Sequence, residues 1–143
     1  MIVYAESSAV LRWLFGEAGG DEVLELLRQA GKVVCSRLTL IECRRAARRA
    51  LAEGRISDAQ LATVLTALAE AAAHWAILDV SREVADRAGA AFPLEPVRTL
   101  DALHLASMAV LRDSLPALVV LSTDERIRDN GGRLGFTIVP AAA

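Results

Sequence analysis

Of four acidic residues, Glu6, Glu42 and Asp124 follow closely on a junction between an apolar run and a segment of helical spacing, and Asp101 lies at the start of another helical segment. Carboxylates gathered within a few ångströms repel one another, which raises their pKa values and costs stability unless a cation sits between them. Such oxygen ligands suit Mg2+ or Mn2+. One or two of these ions can activate water and stabilise the charge that builds on a phosphate during in-line displacement. The chemistry on offer, if the four acids meet, is metal-dependent phosphodiester hydrolysis. Each acid also has an ordinary role available, because a helix dipole stabilises negative charge in its first turn by about 0.3 to 1 kcal/mol. Glu42 could close a capping box with Thr39, Asp101 sits two past Thr99, and Ser122 with Glu125 could form a further box.

The neighbours of these acids extend the pattern. At about 100° per residue, Arg45 and Arg49 lie within roughly 60° and 20° of Glu42 around the helix axis. They form a basic row that could hold an RNA backbone, although a solvated arginine face is the ordinary alternative. His104, three residues after Asp101, shares its side of the helix and reads as a buried histidine satisfied by a hydrogen bond rather than as a general base. Cys35 and Cys43 have no His or Cys partner at metal-ligand spacing and read as buried free thiols.

The elements that must position these residues follow from periodicity. Apolar, mostly β-branched runs at 2–5, 32–35, 75–80, 118–121 and 137–139 read as strands buried on both faces. Between them, 8–15, 21–30, 39–53, 57–73, 81–91, 99–112 and 123–134 carry helical spacing. Ser57 with Gln60 and Thr39 with Glu42 fit capping boxes, and Gly31, Gly54 and Gly131 fit helix stops. The prolines in the segment from Phe92 to Pro96 break the chain between two helices. This alternation predicts an α/β fold, a parallel sheet covered on both faces by helices. In such a sheet the strand ends and first helical turns collect at one edge, where ligands bind. Glu6, Glu42 and Asp124 belong there directly, and Asp101 has to be brought in by the fold.

With 143 residues, 54% of them hydrophobic, the chain suits one domain spanning 1–143 and excludes a disordered protein. No apolar run approaches the roughly 18 residues of a membrane span, and no secretory leader is recognisable, so a cytoplasmic protein is expected. The net charge of -2 does not advertise a nucleic-acid binder by bulk electrostatics, so any RNA site must be local. All basic residues but Lys32 are arginines, which suits phosphate contacts and equally reflects composition.

The same residues carry a family likeness. The blocks Ile2 to Ala9, Leu38 to Glu42, Arg98 to Ala106 and Ser122 to Arg126, in this order and spacing, resemble a PIN domain, most closely the VapC toxins of bacterial toxin–antitoxin pairs. The resemblance covers nearly the whole chain, and the block around Asp101 and His104 is its most specific part. It implies a three-layer fold with a central five-stranded parallel sheet and Mg2+- or Mn2+-dependent endonucleolytic cleavage of RNA. It also implies an antitoxin partner and a homodimer. Position by position, Glu42, Asp101 and Asp124 match the family's acids, Glu6 takes the place of the first, and Ser8 matches a hydroxyl beside it. The departure is Glu6, where the family usually has Asp. The extra methylene moves the carboxylate out by about 1.5 Å, against the near-ideal octahedral geometry that Mg2+ demands at about 2.0 to 2.1 Å. A weakened enzyme, a noncatalytic RNA- or protein-binding module and a housekeeping RNA-processing nuclease all remain open on these residues. The apolar rows of 23–27 and 61–68 are wide enough to serve either the core or an antitoxin helix.

Overall fold

The computed structural model describes residues 1–141; Ala142 and Ala143 lie outside the described residues. Its five strands coincide with the five apolar runs, the second extended by Ser36 and the third and fourth shortened by one to three residues. They are β1 (Ile2–Ala5), β2 (Lys32–Ser36), β3 (Ala76–Leu78), β4 (Val119–Leu121) and β5 (Thr137–Val139). All pair in parallel in the order β3-β2-β1-β4-β5. β1 is central, and the chain winds outward from it in both directions. Its side chains alternate between two packed faces, so Val3 and Ala5 enter one core and Tyr4 the other.

The layer under Val3 and Ala5 is built by α1 (Ser7–Leu14), α2 (Gly20–Gln29), α3 (Arg37–Ala52) and α4 (Asp58–Ala72). Val10, Leu40, Cys43 and Leu68 close on the sheet there. The opposite layer consists of α5 (Arg82–Ala88), α6 (Thr99–Ser114) and α7 (Glu125–Arg133), which pack Val84, Leu105, Met108 and Ile127 around Tyr4 and Val120. Each fully buried large aliphatic side chain contributes about 1.5 to 3 kcal/mol. The result is the expected three-layer α/β architecture with a five-stranded parallel sheet. Among the described residues no helix is long and apolar enough to cross a membrane. Of the two wide apolar rows, Val23, Leu61, Val64 and Leu68 are core, while Leu24 and Leu27 border an open groove with Trp13 and Trp75.

Three helix ends test the local readings. The box between Ser57 and Gln60 forms in both directions. The box expected between Thr39 and Glu42 does not: Ser36 caps α3, and the fully buried Thr39 donates its hydroxyl to the Ala5 carbonyl at 2.9 Å. Gly131 does not stop α7 but lies within it, because a Cβ there would come to 2.9 Å from Ile138 Cδ1 on the neighbouring strand. The stop is Gly135 at φ +92°, with Phe136 N–H donating to Gly131 O and Gly135 N–H to Gly132 O, a Schellman closure.

Candidate active site

β1 and β4 are neighbours from which the chain departs in opposite directions, the switch point at which α/β sheets open a crevice beyond their carboxyl ends. Glu6 directly follows β1 and caps α1; its own N–H donates to Leu121 O at the end of β4. Asp124 follows β4 and caps α7. Glu42 stands in the second turn of α3, behind β2, and Asp101 in the first turn of α6. All four line one cleft of about 720 Å³, so the fold does bring Asp101 to the edge shared by the other three. Arg45, Arg49 and Ser8 line it too.

Each carboxylate is held by its own donors. Glu6, 3% exposed, accepts from Ser8 N at 2.5 Å through Oε2 and from the Ser122 hydroxyl at 3.1 Å through Oε1. Burial pushes its carboxyl above the ordinary value, against the opposing pull of His104 and of the hydrogen bonds from Ser8 and Ser122. Glu42 Oε1 accepts from the Ser7 hydroxyl at 2.7 Å and from His104 Nε2 at 2.5 Å. Burial raises this carboxyl as well, but His104 and Ser7 outweigh that and hold it below the ordinary value. Asp124 Oδ1 takes the backbone N–H groups of Arg126 and Ile127, so its helix-cap role is real, while Ser122 serves Glu6 and the Asp124 backbone rather than Glu125. Asp101 Oδ2 meets Arg98 Nε at 3.3 Å.

Among the described residues no three His, Cys, Asp or Glu side chains stand close enough together to form a finished cation cage. Each carboxylate is instead turned toward its own hydrogen-bond donors. The donor set nevertheless fits a hard divalent ion. Glu42 Oε2, Asp101 Oδ1 and Asp124 Oδ2 have no hydrogen-bond partner among the described residues, and the ligands are all oxygens. Glu6 differs in having both oxygens engaged.

Behind Glu42 runs a buried chain that periodicity did not foresee beyond His104. His104 is 2% exposed; its Nδ1 stands 2.8 Å from the Tyr4 hydroxyl and its Nε2 also 3.2 Å from Ser7 Oγ. The ionised Glu42 can only accept, which assigns the Nε2 proton to His104; in the neutral ring Nδ1 then accepts from Tyr4. Ser8 steadies Glu6 through its backbone N–H. Its hydroxyl accepts from Thr123 N at 3.0 Å and lies 3.3 Å from Ser122 Oγ, tying the loops after β1 and β4 together. Arg45 and Arg49 are exposed and make no ion pair among the described residues.

Sheet order and cleft together define a doubly wound α/β protein with an acidic ligand crevice at its switch point. The PIN domain family model matches residues 3–132. Two ribonucleases of Mycobacterium tuberculosis align along nearly the full length: VapC46 at 33% identity, covering 96% of this chain and 95% of that protein, and VapC45 at 27%, covering 98% and 96%. Among solved structures, VapBC2 from Rickettsia felis bound to a promoter DNA fragment superposes with a TM-score of 0.63 at 13% identity, covering 96% of this chain and 97% of its own. A toxin–antitoxin complex from Klebsiella pneumoniae gives 0.65 at 15%, covering 96% of each chain. This chain belongs to the PIN domain family.

Proposed function

We propose that this chain is a divalent-metal-dependent endoribonuclease and the toxin of a toxin–antitoxin pair. The observation that carries this reading is the single cleft lined by four carboxylates from four separate elements, three of them with an oxygen that has no hydrogen-bond partner among the described residues. The ribonuclease relatives and the toxin–antitoxin complexes among the structural neighbours support it. Glu6, Glu42, Asp101 and Asp124 would hold Mg2+ or Mn2+, which when bound would lower the pKa of water and neutralise charge on the phosphate. The protein's own residues supply placement. His104 and Ser7 fix the Glu42 carboxylate, Ser8 N–H and Ser122 fix Glu6, and the Ser8 hydroxyl keeps the Glu6 and Asp124 loops in register. Arg45 and Arg49 hold backbone phosphates along the α3 wall, which orients the strand without reading its sequence. The working unit is one domain over 1–143 that pairs as a homodimer and is silenced by an antitoxin protein.

The test is Mn2+-dependent cleavage of structured RNA by the natural sequence, by Asp101→Asn and by Glu6→Asp. Cleavage by the natural sequence that falls at least about 100-fold in Asp101→Asn is expected, since one carboxylate of the cation site is lost. Because both Glu6 oxygens already serve protein donors, a strong gain in Glu6→Asp would identify an enzyme weakened at its first carboxylate. No cleavage in either form would favour a noncatalytic binding module. Growth arrest on expression, relieved by the product of an adjoining small reading frame, separates a toxin from a housekeeping RNA-processing nuclease.

A further inference from the structure

The acid cleft does not end at its acids. A second cleft, of about 410 Å³, adjoins it and shares Ser8, Leu11, Ala46, Arg49 and Asp124 as a common wall. Beyond that wall its lining adds Arg12 from α1 and Arg55 from the turn after α3 to the shared Arg49, against Glu17 and the shared Asp124. Arg55 is paired with Glu53 at 3.0 Å. Arg12 is different. Its Nε donates to Thr123 Oγ1 at 3.0 Å and its Nη1 to the Ala18 carbonyl at 3.0 Å, both neutral acceptors, and it makes no ion pair among the described residues. A guanidinium carries five N–H donors, so three remain for a ligand, and the charge is not neutralised by a carboxylate. Holding the group to Thr123, the residue before Asp124, fixes it beside the candidate cation site and lowers the entropy lost when it binds an anion.

We propose that this second cleft is a phosphate subsite, in which Arg12, assisted by Arg49 and Arg55, binds a backbone phosphate of single-stranded RNA neighbouring the one at the acids. The inference rests on the nuclease reading above and goes beyond it by giving the strand a direction out of the acid cleft, between α1 and the end of α3. Thr123, by orienting Arg12, is a positioning residue for that phosphate. A merely structural Arg12, stapling the loop after α1 to the loop after β4, would make the same two hydrogen bonds, so the test must separate charge from staple.

Binding of a short fluorescein-labelled single-stranded RNA is measured by anisotropy across a KCl titration with Mn2+ present, in full-length Asp101→Asn protein so that the RNA survives. Arg12→Gln is expected to weaken binding roughly tenfold. It should also flatten the plot of log affinity against log salt by about 0.7, the value of one phosphate contact on a single strand. Arg12→Lys, which keeps the charge and loses the forked geometry, should restore the slope. Melting curves of each variant establish that all are folded. An unchanged slope in folded Arg12→Gln, or a slope in Arg12→Lys as flat as in Arg12→Gln, overturns the subsite. The nuclease reading fails separately: natural-sequence protein that binds RNA through Arg12 yet never cleaves it keeps the subsite and loses the enzyme.

Discussion

Replacing His104 tests whether the buried chain behind Glu42 serves the cation site or only the core. His104 holds Glu42 Oε1 at 2.5 Å through Nε2 and meets the Tyr4 hydroxyl at 2.8 Å through Nδ1. In His104→Leu both are lost. Tyr4, 0% exposed, loses its His104 partner, and Glu42 keeps one donor, Ser7, in place of two. Unmaking a hydrogen bond to a charged group costs about 1.5 to 3 kcal/mol and unmaking one to a neutral hydroxyl about 0.5 to 1.5, so a loss of roughly 2 to 4.5 kcal/mol of stability is expected. Loss of an outer-shell partner weakens metal binding by about 10 to 100-fold. The informative comparison is between amides. His104→Gln places its terminal amide near the former Nε2 and can still donate to Glu42, whereas His104→Asn places it near Nδ1 and reaches only Tyr4. Calorimetric titration with Mn2+ should therefore give an affinity for Gln much closer to the natural sequence than for Asn, with comparable melting temperatures for both. Equal Mn2+ affinity in the two amide variants would refute a positioning role and leave His104 as packing.

In metal-free protein Glu6→Gln and Glu42→Gln should act in opposite directions. The Glu6 carboxyl is raised in the fold, so the folded chain binds its proton more tightly; ionised Glu6 costs stability above the raised value, and the cost fades as pH falls toward 4.5. Glu6→Gln should thus raise the melting temperature at pH 7 and lose that advantage in acid. Glu42 is lowered, so its contribution is present above 4.5 and lost as pH falls through its folded value, and Glu42→Gln should cost about 1 kcal/mol at pH 7 by urea unfolding. Asn130 clamps Leu94 with its Oδ1 accepting from Leu94 N at 2.8 Å and its Nδ2 donating to Leu94 O at 3.0 Å, which orders the segment leading into α6 and Asp101. Asn130→Ala should cost about 2 to 3 kcal/mol in the same assay. Cys35 and Cys43 are both fully buried, and burial pushes the Cys35 thiol up to about 12, so neither should react with iodoacetamide until the protein unfolds.

The sheet and the acids were legible because each has a local signature. Buried parallel strands are short apolar runs, and Glu6, Glu42 and Asp124 come directly from strand-to-helix junctions, while Asp101 comes from a helix start that only the fold brings beside them. What the sequence hid are side chains whose partners lie far along the chain. Ser122 reaches Glu6 across 116 positions, Ser7 reaches Glu42 across 35 and Tyr4 reaches His104 across 100. Thr39 misled for the same reason. Its pattern with Glu42 is a capping box locally, but burial under β1 offers its hydroxyl the Ala5 carbonyl instead, which leaves Glu42 free for His104. Gly131 carries a stop signal in sequence and a packing reason in space, the approach of β5.

The most direct measurement is anomalous diffraction from crystals of the full chain soaked in Mn2+. A shared cation predicts a strong peak in the cleft between β1 and β4, within direct-ligand distance of carboxylate oxygens from at least three of Glu6, Glu42, Asp101 and Asp124. Full Mn2+ occupancy elsewhere on the protein, with these four side chains still turned to Ser122, His104, Arg98 and the α7 backbone, would contradict it.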